Sequence, residues 1–401
     1  MINLTHDAKE FTDNMIETEI LENLFKFTNS KEIGIVFQSI WLFANMLEND
    51  ELCHIIIKTV PEFLNKINLL LTNYSSSYDY YESYNIVSWL VYRIFYCTNN
   101  YYLDSFIGAI PNFLKVLEIE VNKQIHNKIS GSNNENLEIE FSFRGTILLV
   151  FDKLTRYIED TEILQKLIYS SLMDSLMKLL SIDLENQTSD NLFIIFRIIG
   201  GLLSSNNDSD VDYLLNNYNY LDEVEKIIKH LAYNNYPNIS NPSKILKEIA
   251  WCLSNVTGGT KEQIQKVLKT EIPSYLLNFT HKIKENKYFN EVLFLYYNAF
   301  DYGSKETKHT ILSGEIVNII CEAISNTNFP HQVVKLALDF LRLIISEVKT
   351  VFEICVYKNL KIQLERNNIP IILNNLQYSR NNDIVEIAEF ILLDNWHVDE
   401  Y

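Results

Sequence analysis

The sequence predicts an all-α fold, a solenoid of about seven to eight stacked helical repeats. Three observations lead there. Apolar residues run at helical spacing, as in Ile264, Val267, Leu268, Ile272 and Leu276. A proline phrase recurs along the chain, with an aromatic phrase upstream of it, at a period of about 45 residues. The 401 residues hold only 10 glycines and 7 prolines, too few for Gly-rich sandwiches or doubly wound nucleotide folds.

The elements follow in order. Residues 1–31 read as an incomplete N-terminal cap, 32–395 as the solenoid and 396–401 as a short polar tail. The proline phrase occurs as Val60-Pro61-Glu62-Phe63-Leu64, Ile110-Pro111-Asn112-Phe113-Leu114, Ile272-Pro273-Ser274-Tyr275-Leu276 and Ile369-Pro370-Ile371-Ile372-Leu373. Proline has a preset φ and no N–H, which suits the first turn of a helix. The apolar residue before it can staple onto the next turn. Each phrase therefore predicts a helix start.

The second phrase marks another helix of each repeat. It is clearest in Trp41 with Asn45, Trp89 with Arg93, and Trp251 with Asn255, so three of the four tryptophans share one repeat position. Phe294 with Asn298, Arg197 with Gly201, Leu149 with Lys153 and Asp339 with Leu343 fit the same place. The second members fall at 45, 93, 153, 201, 255, 298 and 343. The longer steps contain loops at Ser130-Gly131-Ser132-Asn133-Asn134 and Ser204-Ser205-Asn206-Asn207. This period lies in the armadillo and HEAT range, so the prediction becomes an armadillo-repeat superhelical solenoid.

Composition narrows the function. Lys+Arg is 34 and Asp+Glu is 52, a net charge of −18, which argues against direct nucleic-acid binding and favours basic partners. Five scattered cysteines without paired spacing read as reduced thiols, which places the chain in the cytoplasm and nucleus. The N-terminus is polar, without the apolar run of a signal peptide. The most apolar run, Leu192 to Leu203, is short and holds Arg197, so no membrane partner is expected.

Catalytic and metal signatures are scarce. No GxxxxGK[ST], GxGxxG or GxSxG occurs. Cys53 and His54 are adjacent and point different ways on a helix. Asp208-Ser209-Asp210-Val211-Asp212 suggests a calcium loop, but the required Gly and terminal Glu places hold Tyr213 and Asn219. A helix cap or a solvated loop is the expectation there. The chain is expected to be a binding protein without cofactors, not an enzyme.

The stretch from Glu248 to Leu276 resembles the armadillo repeats of importin-α (karyopherin-α), the adaptor family that carries nuclear localisation signals. The residues are Glu248, Trp251 and Asn255, then Val256-Thr257-Gly258-Gly259, Glu262-Gln263-Ile264-Gln265 and Ile272-Pro273. The preceding repeat adds Arg197-Ile198-Ile199-Gly200, with Gly201 where the family has Asn. The following repeat keeps Glu291 and Asn298, with Phe294 for Trp. The likeness is strong from about Phe196 to Ser325 and extends over most of the chain at fold level.

The resemblance implies nuclear import by peptide binding. Trp251, Asn255, Phe294 and Asn298 would hold an extended basic peptide, with Glu248 and Glu291 as acidic partners and Arg197 as the Arg that interrupts the family's ladder. Trp41, Asn45 and Trp89 match at the other end, with Glu48 and Asp50 nearby. The expected partners are a basic peptide or protein cargo and importin-β-like or export factors. Met1 to Lys31 has only Lys9, Lys26 and Lys31 as cations, so the basic importin-β-binding segment is not expected here. Arg93 and Lys153 replace Asn, and two cations would repel a basic peptide.

The residues support the same peptide chemistry by themselves. Residues at i and i+4 share one helical face. An Asn amide can hold a peptide backbone through donor and acceptor. Indole faces can flank Lys or Arg stems. The plainer alternatives are that the tryptophans only pack, that Asn255 and Asn298 bond between repeats, and that Glu248 and Glu291 are solvated. Arg93, Lys153 and Arg197 either line the groove or pair with acids on adjacent helices. The rival function is an armadillo scaffold subunit of a larger assembly that has lost transport.

Overall fold

The computed structural model describes residues 18–47, 49–60, 62–74, 81–98, 101–130, 137–157, 161–186, 192–232, 242–283 and 285–396. Glu48, Pro61, the first seventeen residues and the tail after Trp396 lie outside them, as does most of the loop after Ser130. Among the described residues every regular element is helical, and no helix is long and apolar enough to cross a membrane.

The chain divides into two compact units, one ending at Leu202 and the other beginning at Leu203 apart from a few residues. The first holds α1 (Thr18–Phe27), α2 (Ile33–Met46), α3 (Asp50–Thr59), α4 (Phe63–Tyr74), α5 (Tyr81–Cys97), a 3-10 helix (Leu103–Ala109), α6 (Ile110–Ser130), α7 (Leu137–Tyr157), α8 (Thr161–Ile168), α9 (Leu172–Asn186) and α10 (Leu192–Leu203). The second holds α11 (Asp208–Asn217), α12 (Tyr220–Ala232), α13 (Pro242–Thr257), α14 (Lys261–Leu268), α15 (Ile272–Thr280), α16 (Asn286–Tyr302), α17 (Lys305–Leu312), α18 (Ile316–Ser325), α19 (His331–Val351), α20 (Ile354–Arg366), α21 (Ile369–Leu376) and α22 (Asn382–Trp396).

Each unit is a stack of armadillo-type repeats. A short helix leads to a second helix, and a third carries the aromatic phrase. Helices α6, α15 and α21 begin at the Ile of their proline phrases, and the proline sits in the first turn of α15 and α21. In the repeat of α6 the short helix is a 3-10 segment that runs directly into it. The third helices stack on one another: α2 on α5 and α5 on α7 in the first unit, then α13 on α16, α16 on α19 and α19 on α22 in the second. Such stacking buries an apolar face that no single repeat could bury alone.

Caps separate the helices where chain direction changes. Thr260 and Gln263 form a capping box at the start of α14, and Ser304 caps α17. The acidic Asp208–Asp212 stretch is the first turn of α11. Asn207 caps it by accepting from the Ser209 N–H, and buried Asp210 accepts from Ser205 Oγ at 2.8 Å.

Candidate functional site

Burial along the third helices leaves one narrow stripe uncovered. From Ile245 to Thr257 in α13, only Lys247, Trp251 and Asn255 are not buried. From Tyr288 to Phe300 in α16, the uncovered positions are Asn290, Glu291, Phe294, Tyr297 and Asn298. The spacing of three and four residues is the helical period seen from outside. The packed faces of α13 and α16 therefore aim Trp251, Asn255, Phe294 and Asn298 onto one side of the second unit.

The asparagine of α16 is tied to its neighbour. Asn298 Nδ2 donates to the Ser254 carbonyl of α13 at 3.0 Å. Thr257 Oγ1 of α13 returns a bond to the Leu295 carbonyl of α16, also at 3.0 Å. Asn298 thus bonds between repeats while staying half-buried at the surface, and Phe294 is 40% exposed.

Two carboxylates and one ammonium stand beside this ladder. Glu248 is 8% exposed and pairs with Lys247 at 2.7 Å. Burial pushes the Glu291 carboxyl up to about 7, with the Glu248 charge adding to the rise and the Lys247 charge opposing it. Lys247 is a residue that sequence reasoning missed. Its place four residues before Trp251, on the same helical face, was the available signal.

In the first unit the ladder positions hold different groups. Trp41 is 42% exposed and Asn45 is exposed on α2, and Trp89 is half-buried on α5, 5.5 Å from the Tyr92 ring. Arg93 donates from Nε at 3.0 Å and Nη2 at 2.7 Å to the carbonyl of Leu47, the residue that ends α2. Asp50 lies 3.9 Å away. Lys153 of α7 sits over the Tyr96 ring at 5.7 Å.

Arg197 of α10 pairs with Asp152 of α7 at 3.2 Å, and Arg156 holds the same carboxylate at 2.7 Å. Asp152 is almost fully buried, so the two guanidiniums hold its charge away from water. Gly201, at the asparagine place of α10, faces Thr155 so closely that an added Cβ would lie 2.8 Å from the Thr155 Cβ. Close helix approach explains why no side chain stands there.

Among the described residues no group of three His, Cys, Asp or Glu side chains could hold a metal ion. Four cysteines are buried and Cys355 is exposed.

No family model matches the chain, and no curated protein matches it by sequence. Among solved structures it is similar to a designed armadillo repeat protein in complex with the peptide (KR)4, at 18% identity over 68% of this chain and 96% of that one, with a TM-score of 0.49. It is similar to computationally designed armadillo repeat proteins for modular peptide recognition, at 16% identity over 67% of this chain and 97% of that one, with a TM-score of 0.48. An engineered protein matches at 14% identity over 94% of this chain and 98% of that one, with a TM-score of 0.48. The armadillo-type fold is carried by the helix triplets and ladder contacts of this chain itself.

Proposed function

We propose that this chain is an importin-α-like, non-catalytic protein whose second unit binds an extended basic peptide. The observation that carries this reading is the stripe on α13 and α16, where Trp251, Asn255, Phe294 and Asn298 are among the aromatic and amide groups left uncovered, with Asn290 and Tyr297 beside them. The peptide lies along the stripe, its Lys or Arg stems against the Trp251 and Phe294 rings. The remaining hydrogen-bonding capacity of the Asn255 and Asn298 amides holds its backbone. Glu248 pairs with Lys247, and the Glu291 carboxyl, raised to about 7, is the acid that an incoming cation would favour in its ionised form. On this reading the chain carries nuclear localisation signals between cytoplasm and nucleus, with importin-β-like or export factors as transport partners.

The test is a titration of the whole chain with a labelled Lys/Arg-rich localisation peptide at about 50 and about 150 mM salt. Binding at the higher salt that falls at least tenfold in a Trp251→Ala/Asn255→Ala variant supports the site. Equal binding by that variant removes it.

A second reading is favoured by the Asn298–Ser254 and Arg93–Leu47 bonds, which spend ladder side chains on joining repeats. In that reading the chain is a scaffold subunit of a larger assembly. Recovery from its source in a complex of fixed stoichiometry that does not exchange with transport factors would favour it over the adaptor.

A further inference from the structure

The repeat formed by α20, α21 and α22 exposes apolar side chains to an extent that the earlier repeats of the second unit do not. Among the described residues from Leu203 to Thr350, the large apolar side chains that stand exposed are Phe294 and Tyr302. From Ile354 onward they come from every helix of the repeat: Ile354, at 73%, and Ile362 on α20, Ile371 on α21, and Phe390, at 57%, and Leu393 on α22. These helices are packed on their other faces, where Leu360, Leu364, Leu373, Ile387 and Ile391 are buried. The exposed residues therefore form a surface on a folded repeat.

Charge is divided between two of these helices. Helix α20 alternates apolar and cationic groups at steps of four, Ile354, Lys358, Ile362 and Arg366, all exposed and on one side of the helix. Helix α22 presents Glu386, Glu389, Phe390 and Leu393, again exposed and at steps of three and four. The ion pairs that reach this repeat among the described residues are Lys335 with Asp383 and Lys349 with Asp394. Glu365 accepts from Trp396 Nε1 at 3.0 Å, and Arg380 stands exposed in the turn before α22. Lys358 and Arg366 thus give α20 a basic apolar face, and Glu386 and Glu389 give α22 an acidic apolar one.

We propose that this repeat pairs with the same repeat of a second copy of the chain, α20 of each copy lying on α22 of the other. Charge complementarity selects that occupant. A wholly basic partner would meet Lys358 and Arg366, and a wholly acidic one would meet Glu386 and Glu389. A second copy offers both signs together with the apolar residues between them, and a two-fold arrangement makes both contacts at once. Ile354, Ile362, Phe390 and Leu393 supply the apolar contact and keep water from the charge pairs. The net charge of −18 opposes association at long range, but salt at about 150 mM screens charges more than about 8 Å apart and leaves contact pairs in force.

The inference is independent of the basic-peptide reading, whose residues lie on α13 and α16. The experiment is sedimentation of the whole chain at about 150 mM salt, from low to high micromolar concentration, where conversion from one chain to two is expected. Glu386→Lys/Glu389→Lys makes both faces basic, and Lys358→Glu/Arg366→Glu makes both acidic, so each variant should stay monomeric by itself. Mixed in equal amounts, the two variants should pair with each other, because every contact is then between opposite charges. Misfolded variants could not produce that rescue. A parent that stays monomeric throughout, a dimer that both variants leave unchanged, or variants that fail to pair when mixed overturns the proposal. A Phe390→Ser variant that melts well below the parent while both are monomeric would show that the chain covers this face itself, and would overturn it too.

Discussion

Asn298 holds the carbonyl of Ser254, and through it one repeat holds the next. Arg93 does the same work in the first unit, on the carbonyl of Leu47. Both side chains come from the same repeat position. Both reach a carbonyl in or just after the last turn of the preceding third helix, although the Ser254 carbonyl also accepts the Gly258 N–H at 3.1 Å. An amide and a guanidinium are interchangeable there because each offers N–H donors and the acceptor is backbone.

Removing either donor should loosen its own pair of repeats. Asn298→Ala is expected to cost about 1 kcal/mol, the usual net worth of such a bond. Arg93→Ala should cost more, because it removes two bonds to Leu47 and leaves that carbonyl with the Cys97 thiol at 3.1 Å. Urea unfolding of each variant measures this, and an unchanged midpoint for Arg93→Ala would remove the proposed equivalence.

Gly201 should not tolerate a methyl group. Its added Cβ would sit 2.8 Å from both Cβ and Oγ1 of Thr155. Gly201→Ala is expected to destabilise the chain by about 1–3 kcal/mol through overpacking. Thr155→Ala in the same chain should recover part of that loss, and a double-mutant cycle would show the coupling.

Glu291 should make both stability and peptide binding depend on pH. Its carboxyl is raised to about 7 by burial, against about 4.3 in an unfolded chain. Between these values the folded state binds more protons than the unfolded state, so stability falls as pH rises through that window. Below about pH 4 the penalty is absent, and above about 7 it is complete. Glu291→Gln should therefore be more stable than the parent above pH 7, by on the order of 2 kcal/mol, and equal to it near pH 4. A bound cation favours the ionised carboxylate, so Lys/Arg peptide affinity should rise about tenfold from pH 6 to 8 in the parent and stay flat in Glu291→Gln.

Lys247 should act as an internal competitor for the basic peptide. Its ammonium already pairs with Glu248 at 2.7 Å and moderates the Glu291 carboxyl. Lys247→Met keeps the stem and removes the charge. Peptide affinity is expected to increase severalfold, measured by the same titration. A decrease would mean that Lys247 supports the site instead of filling it.

The helix starts and the ladder positions were legible in the sequence because they are local. A proline in a first turn acts on its own helix, and the spacing of Trp251, Asn255, Phe294 and Asn298 follows the helical period. Repetition at about 45 residues then exposes the stack. What each ladder side chain touches was decided by tertiary structure alone. The partners of Arg93, Arg197 and Asn298 lie more than forty residues away in the chain, and their choice depends on how closely two helices approach. That distance turns Arg93 toward the Leu47 carbonyl, leaves Gly201 no room beside Thr155, and buries Asp152 between Arg156 and Arg197. Which residues of α13 and α16 meet water is decided at the same level, because burial against the neighbouring helices selects them.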